Sequence, residues 1–172
     1  SGIPVFHKDV SVFEVLRNGN KNGLFYFDPY ARMGKSSGAW MSSYRDQKRI
    51  GGEITPIVSN NSNFVPGKPG EPALVSWSDA VTMFHEFGHA LHGLSSNVTY
   101  PYVSGTNVTG DFVELPSQMH EKFLQTAAIM DFLKDKNGQR VPQALVDKIE
   151  ASKTFNEGFA TVEFLASAIV DM

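Results

Sequence analysis

The pentad His85-Glu86-Phe87-Gly88-His89 constrains this chain more than any other feature. Residues four apart stack on one face of an α-helix, so His85 and His89 can both reach one ion only if the pentad is helical. The surrounding sequence agrees. Ala80, Phe84, Phe87, Leu91 and Leu94 recur at helical spacing and form an apolar stripe away from the two histidines. Ser76-Trp77-Ser78-Asp79 supplies N-cap candidates just upstream.

Paired histidines at this spacing, with a glutamate directly after the first, form the zinc-hydrolase pattern. Glu86 is rotated off the histidine face but stays beside it, where it can take a proton from an activated water. A catalytic zinc takes three protein ligands and keeps the fourth position open. His92 is a poor third ligand, because it lies seven residues beyond His85, about 10 Å along the axis. It either lines the cleft near the metal or is a satisfied helix histidine. Glu114 is the better candidate. It sits in Thr109-Gly110-Asp111-Phe112-Val113-Glu114-Leu115-Pro116-Ser117-Gln118, which reads as a helix start capped by Gly110 or Asp111. Pro116 requires that start to be close, or the helix to kink there. Gln118 and Glu121 share the face of Glu114 and are candidates for hydrogen bonds that orient metal ligands. Spacing alone leaves Glu114 open between ligand and solvated surface carboxylate.

The order of the remaining segments predicts α+β: a small N-terminal β-sheet over residues 1–75, then a mainly helical region of zincin type over 76–172. Val10, Val12 and Val15, then Asn18 to Gly23, then Leu24 to Phe27 read as a hairpin. Tyr30 to Gly52 reads as a loop crossing the sheet. Its Arg32, Lys35, Arg45, Lys48 and Arg49 either bind a substrate carboxylate or form a solvated face. Ile54 to Val58 reads as a strand that Pro56 confines to an edge or bulge. Asn60 to Pro72 reads as a surface loop. Ala73-Leu74-Val75 is a short strand candidate, placed by analogy where an edge strand pairs with substrate. The loop Tyr100 to Thr109 is either a linker or a source of donors to substrate, with Ser104, Gly105 and Thr106 as candidates alongside His92. Beyond Glu114 the chain reads as helical, with Met119, Phe123, Ala127 and Met130 at helical spacing. Asn137-Gly138 makes a break, and helices follow over Pro142 to Ser152 and Asn156 to Met172.

Composition narrows the partners. The formal net charge of −3 gives no reason to expect nucleic acid. No run of 18 apolar residues suggests a membrane span. The absence of cysteine removes disulfides and thiolate metal ligands but does not choose between a cytoplasmic and a periplasmic parent.

Several blocks together resemble the thimet oligopeptidase and peptidyl-dipeptidase family of zinc metallopeptidases. They are Phe84 to Gly93, Ser104-Gly105-Thr106, Asp111 to Gln118, Tyr30-Ala31-Arg32 with Ser37 to Met41, and Phe155 to Thr161 with Glu163 to Ser167. Gly38 to Met41 and Val103 to Asn107 look most like the bacterial peptidyl-dipeptidase branch. The resemblance implies one Zn²⁺ per chain on His85, His89 and Glu114, with Glu86 as general base. It implies hydrolysis of short peptides with release of C-terminal dipeptides, or endo-acting cleavage in the oligopeptidase relatives. Family members are several times longer, mostly helical, and use tyrosines and a histidine from a later segment. Here no Tyr follows Tyr102 and no His follows His120. The resemblance therefore reads this stretch as a central piece of one catalytic domain, whose partner is the remainder of that domain. It implies a zinc-binding fragment with little or no turnover alone.

Overall fold

The computed structural model describes residues 2–135 and 137–171. The chain divides into two compact units, Ser1–Thr126 and Ala127–Met172. The first holds a four-stranded sheet, with β1 at Ser11–Arg17, β2 at Asn20–Tyr30, β3 at Trp40–Arg45 and β4 at Ile57–Phe64. The long helix α1 (Trp77–Leu94) and the short helices α2 (Gly110–Val113) and α3 (Leu115–Glu121) follow, ending in a 3₁₀ turn at Lys122–Gln125. The second unit contains α4 (Ala127–Met130), α5 (Gln143–Ser152) and α6 (Glu157–Asp171). The architecture is α+β, with the sheet first and the helices after it, as expected. No described helix is long and apolar enough to cross a membrane.

The expected hairpin forms with a tighter turn than Asn18 to Gly23. Asn18 and Gly19 both take positive φ (53° and 79°), which matches the twist of paired strands. Strand β2 then starts at Asn20. The register slips between Val15 and Leu16, leaving Asn22 as an extra residue. That bulge has a use: Asn22 Nδ2 donates to Leu94 O at 2.6 Å, satisfying a carbonyl at the end of α1.

Strand order is β1-β2-β4-β3, with β2 and β4 parallel and the outer pairs antiparallel. Three expectations are corrected here. The region Tyr30 to Gly52 is not all loop, because it contains β3. The strand after Pro56 is central rather than at an edge, since Pro56 precedes it and lacks no ladder bond within it. Only the second part of Asn60 to Pro72 is the expected surface loop: Asn60 to Phe64 belong to β4, where Ser59, Asn60, Asn61 and Ser62 are buried, while 65–72 run exposed outside any strand. Two of the strand's amides are paired, whereas Asn60 Oδ1 is buried with no hydrogen-bond partner among the described residues. Asn61 Nδ2 donates to Trp40 O and Ser59 Oγ, and Asn63 Nδ2 donates to Ser36 O and Gly38 O.

Period-two alternation along β2 splits the core. Phe25 and Val58 pack with Ala90 and Leu94 of α1, and Phe87 and Met41 close around them. Leu24 and Tyr26 face the other way with Val10. Helix α1 starts at the expected place. Ser76 Oγ accepts from Asp79 N while the Asp79 carboxylate accepts from Ser76 N, a reciprocal capping box. Its buried stripe runs through Glu86, Ala90, Gly93 and Leu94, so Phe84 and Leu91 stand at the margin.

The cationic string does not act as one unit: Arg32 and Lys35 are drawn inward by Asp28, while Arg45 and Arg49 stay exposed. Arg32 makes a two-pronged pair with Asp28 (2.6 and 2.8 Å), and Lys35 Nζ donates to Asp28 Oδ1, Asp28 O and Tyr30 O. Arg45 is held by Thr55. Burial pushes the Asp28 carboxyl up, but the bonds and charges of Arg32 and Lys35 outweigh it and hold the net value below the ordinary one. Burial draws the Lys35 ammonium downward against the pull of Asp28. Asp28→Ala would strand a lysine side chain that is 4% exposed, at a cost of about 3–5 kcal/mol. A carboxyl depressed on folding stabilises above its unfolded pKa, near 4, and that contribution fades as pH falls through the lower folded value. Urea midpoints for the wild type and Asp28→Ala should therefore differ strongly at pH 7 and converge toward pH 2. A constant gap across that range would remove Asp28 from the ledger.

The single helix expected beyond Glu114 is broken. Pro116 forces a restart at Leu115, and Thr126 takes extended geometry (φ −71°, ψ 147°) that separates the 3₁₀ turn from α4. The two later helices form as expected, α5 one residue after Pro142 and α6 from Glu157. Met172, the expected end of the last, lies outside the described residues. Ala73-Leu74-Val75 takes no strand geometry.

Candidate metal centre

Two helices build the site. One turn of α1 presents His85 and His89, with ring centroids 4.9 Å apart at 83°. Glu114 lies at the junction of α2 and α3, where its carbonyl accepts from Gln118 N (2.9 Å) and opens the second helix. The kink beside Pro116 turns its carboxylate back toward α1. Glu114 Oε2 stands 3.1 Å from His85 Nε2 and 3.1 Å from His89 Nε2. These three side chains form a candidate metal site, their ligand-type atoms lying within 4.8 Å of one another. A tetrahedral zinc ion with bonds near 2.0–2.1 Å separates its ligands by about 3.3 Å, so the donor set fits such an ion in chemistry and spacing.

The supporting contacts orient the candidate ligands. Glu121 Oε1 takes the Nδ1 side of His85 at 2.7 Å, which leaves Nε2 free to face Glu114. Burial lowers the His89 pKa against the opposing charge of Glu114, the direction that favours a neutral, ligating ring. Ser117 Oγ donates to Glu114 Oε2 at 2.8 Å. That bond, with the two histidines, holds the carboxyl below its usual range despite some burial. His89 Nδ1 is buried with no hydrogen-bond partner among the described residues. Glu121→Ala should therefore weaken zinc binding by roughly 10–100-fold, the usual cost of losing an orienting partner. A chelator competition assay reads this directly, and unchanged affinity would show that the Glu121 contact orients nothing.

Glu86 is only 7% exposed and borders the same cleft. Burial pushes its carboxyl up and the Glu114 charge adds to this, while His85 and the Met41 N–H pull the other way; the net shift is upward. That direction suits a proton acceptor working near neutral pH. The cleft measures about 320 Å³. Ala39, Trp40 and Met41 of the β3 region form one wall, and Thr106, Val113 and Glu114 form the other. Strand β3 ends the sheet and has one unpaired edge. The strand beside the cleft is therefore β3, not Ala73-Leu74-Val75. A larger hollow of about 780 Å³ lies along α6 residues such as Phe164 and Val170, but among the described residues it gathers no cluster of ligating groups.

Among the other sequence candidates, Thr106 reaches the cleft. Ser104 is buried, and its Oγ and the Gly105 N–H both donate to Ser96 Oγ, so they anchor the loop instead of facing the cleft. His92 packs edge-on against Phe112 at 6.2 Å and does not border the cleft. Gln118 is exposed and also stays outside it. Its expected place beside Glu114 belongs to Ser117, one residue earlier, which spacing at i+3 could have pointed to.

The sequence profile of peptidase family M3 matches residues 1–172. The chain belongs to peptidase family M3. Dipeptidyl carboxypeptidase of Escherichia coli (strain K12) is 40% identical over 173 residues, covering 99% of this chain and 25% of that protein. The protein of the same name from Salmonella typhimurium is 39% identical over the same length, with the same coverage. Oligopeptidase A of E. coli is 34% identical over 175 residues, covering 98% of this chain and 26% of that protein. The chain thus spans about a quarter of the length of these M3 relatives.

Proposed function

We propose that this chain carries the metal centre of a zinc-dependent peptidase that cleaves short peptides and releases C-terminal dipeptides. The observation that carries the reading is the placing of Glu114 Oε2 at 3.1 Å from both histidine Nε2 atoms, with Glu86 beside them. His85, His89 and Glu114 would hold one zinc ion. Zinc supplies a Lewis acid that polarises the scissile carbonyl and makes water acidic. Glu86 takes a proton on its carboxylate from the attacking water and delivers it to the nitrogen of the leaving amine. The free edge of β3 lines up an extended peptide by main-chain hydrogen bonds, and Trp40 and Met41 flank it. The preference for dipeptide release over endo-acting cleavage rests on the higher identity to proteins named dipeptidyl carboxypeptidase than to oligopeptidase A.

A second reading is a zinc-binding unit that does not turn over by itself. It is favoured by the cleft walls, which among the described residues carry no Tyr, Lys or Arg to hold an oxyanion. Loss of a single such donor costs about 10²–10³ in rate. Metal analysis and hydrolysis of blocked tripeptides and longer peptides, for this chain and for one of the relatives' length, separate the readings. We expect one zinc per chain in both and dipeptide release by the longer chain, abolished by chelation and restored by zinc. Metal-independent hydrolysis, or no zinc bound, would sink the proposal.

A further inference from the structure

Gly88, the fourth residue of the pentad, is buried where α3 crosses α1. A Cβ added there would lie 2.6 Å from Ser117 Cα, 2.9 Å from Pro116 O and 2.9 Å from His120 Cβ. The nearest of these is backbone, so no side-chain rotation relieves the contact. Ser117 is itself fully buried, and its Oγ holds Glu114 through Oε2 and the backbone carbonyl, each at 2.8 Å. One residue thus touches α1 with its Cα and grips Glu114 with its hydroxyl.

We infer that Gly88 and Ser117 are a positioning pair: their contact sets how near α3 comes to α1, and so where the Glu114 carboxylate meets His85 and His89. The inference rests on the metal-site reading above. Magnitudes support it. Carbon atoms in ordinary contact stand about 3.5–4.0 Å apart, so a methyl group on residue 88 asks α3 to retreat by about 1 Å. Metal–ligand bonds tolerate only about 0.2 Å. A shift several times that tolerance reaches Glu114 through the Ser117 hydroxyl.

The test is a cycle of zinc dissociation constants, by chelator competition, for the wild type, Gly88→Ala, Glu114→Ala and the double variant. Thermal melts show which are folded. Gly88→Ala should weaken zinc roughly 10–100-fold in the wild-type background and less than about twofold when Glu114 is already absent. No loss, or equal losses in both backgrounds, would overturn the inference, the second because it marks general damage to the helix. If Glu114→Ala binds zinc like the wild type, the metal-site reading itself fails. The positioning claim is then decided by metal-free crystal structures: Glu114 must move away from the two histidines in Gly88→Ala, and an unmoved carboxylate refutes it. Should Gly88→Ala not fold, Ser117→Ala carries the same cycle. It keeps the helix contact and removes only the hydroxyl, and about a tenfold loss that depends on Glu114 is expected.

Discussion

Glu86→Gln is expected to keep zinc bound and to lower turnover by at least about 10²–10⁴-fold in a chain of the relatives' length. The two halves of that expectation have separate grounds. Metal retention follows because the clustered ligand-type atoms belong to His85, His89 and Glu114, and Glu86 is not among them. Loss of rate follows because glutamine keeps the shape of the side chain but cannot accept the proton of the attacking water. The substitution also leaves the packing of α1 in place, since the residue is nearly buried and its replacement is isosteric. Metal content beside kcat separates the effects. Near-normal turnover with full zinc would remove Glu86 from the chemistry, and loss of zinc would make it a ligand or a support for one.

What could be read from the sequence, and what could not, follows one physical division. Helix α1 was legible because its apolar spacing, its Ser76/Asp79 cap and the histidine pair all demand the same period. The β1–β2 hairpin was legible through Asn18-Gly19 and the alternation at Leu24 to Phe27. Strands β3 and β4 were hidden because their polar residues read as loop, although β4 is buried and β3 forms an edge of the sheet with no buried residue. Ser42 and Ser43, and the run Ser59 to Ser62, look like loop by composition. The candidate site divides the same way. Residues tied to α1 by helical spacing could be placed, and Glu121 could be named from its face. Ser117, Gly88 and the kink that aims Glu114 depend on how α3 crosses α1, a long-range contact with no local signal. Ser104 and Gly105 show the converse: polar and glycine-rich, they suggested substrate donors, yet the folded loop spends them on Ser96.

Glu114→Ala should cost the 172-residue chain most of its zinc affinity, about 10²–10³-fold. Structural zinc binding of about 10–16 kcal/mol over four ligands is roughly 2.5–4 kcal/mol for each, which converts to about that range. The loss should fall on metal binding and spare the fold. The Glu114 side chain is half exposed, so its removal opens no cavity, and Ser117 Oγ keeps its bond to the residue-114 backbone carbonyl. Away from such features a surface substitution shifts stability by only about 0.5 kcal/mol. The metal-free variant should therefore melt close to the metal-free wild type, while zinc should raise the melting point of the wild type far more than that of the variant. Glu114→Asp refines the test, because a carboxylate one methylene shorter cannot span the same gap and should bind zinc with intermediate affinity. If both variants bind as tightly as the wild type, the two histidines hold the ion with some other group, and the ligand set His85, His89 and Glu114 is wrong.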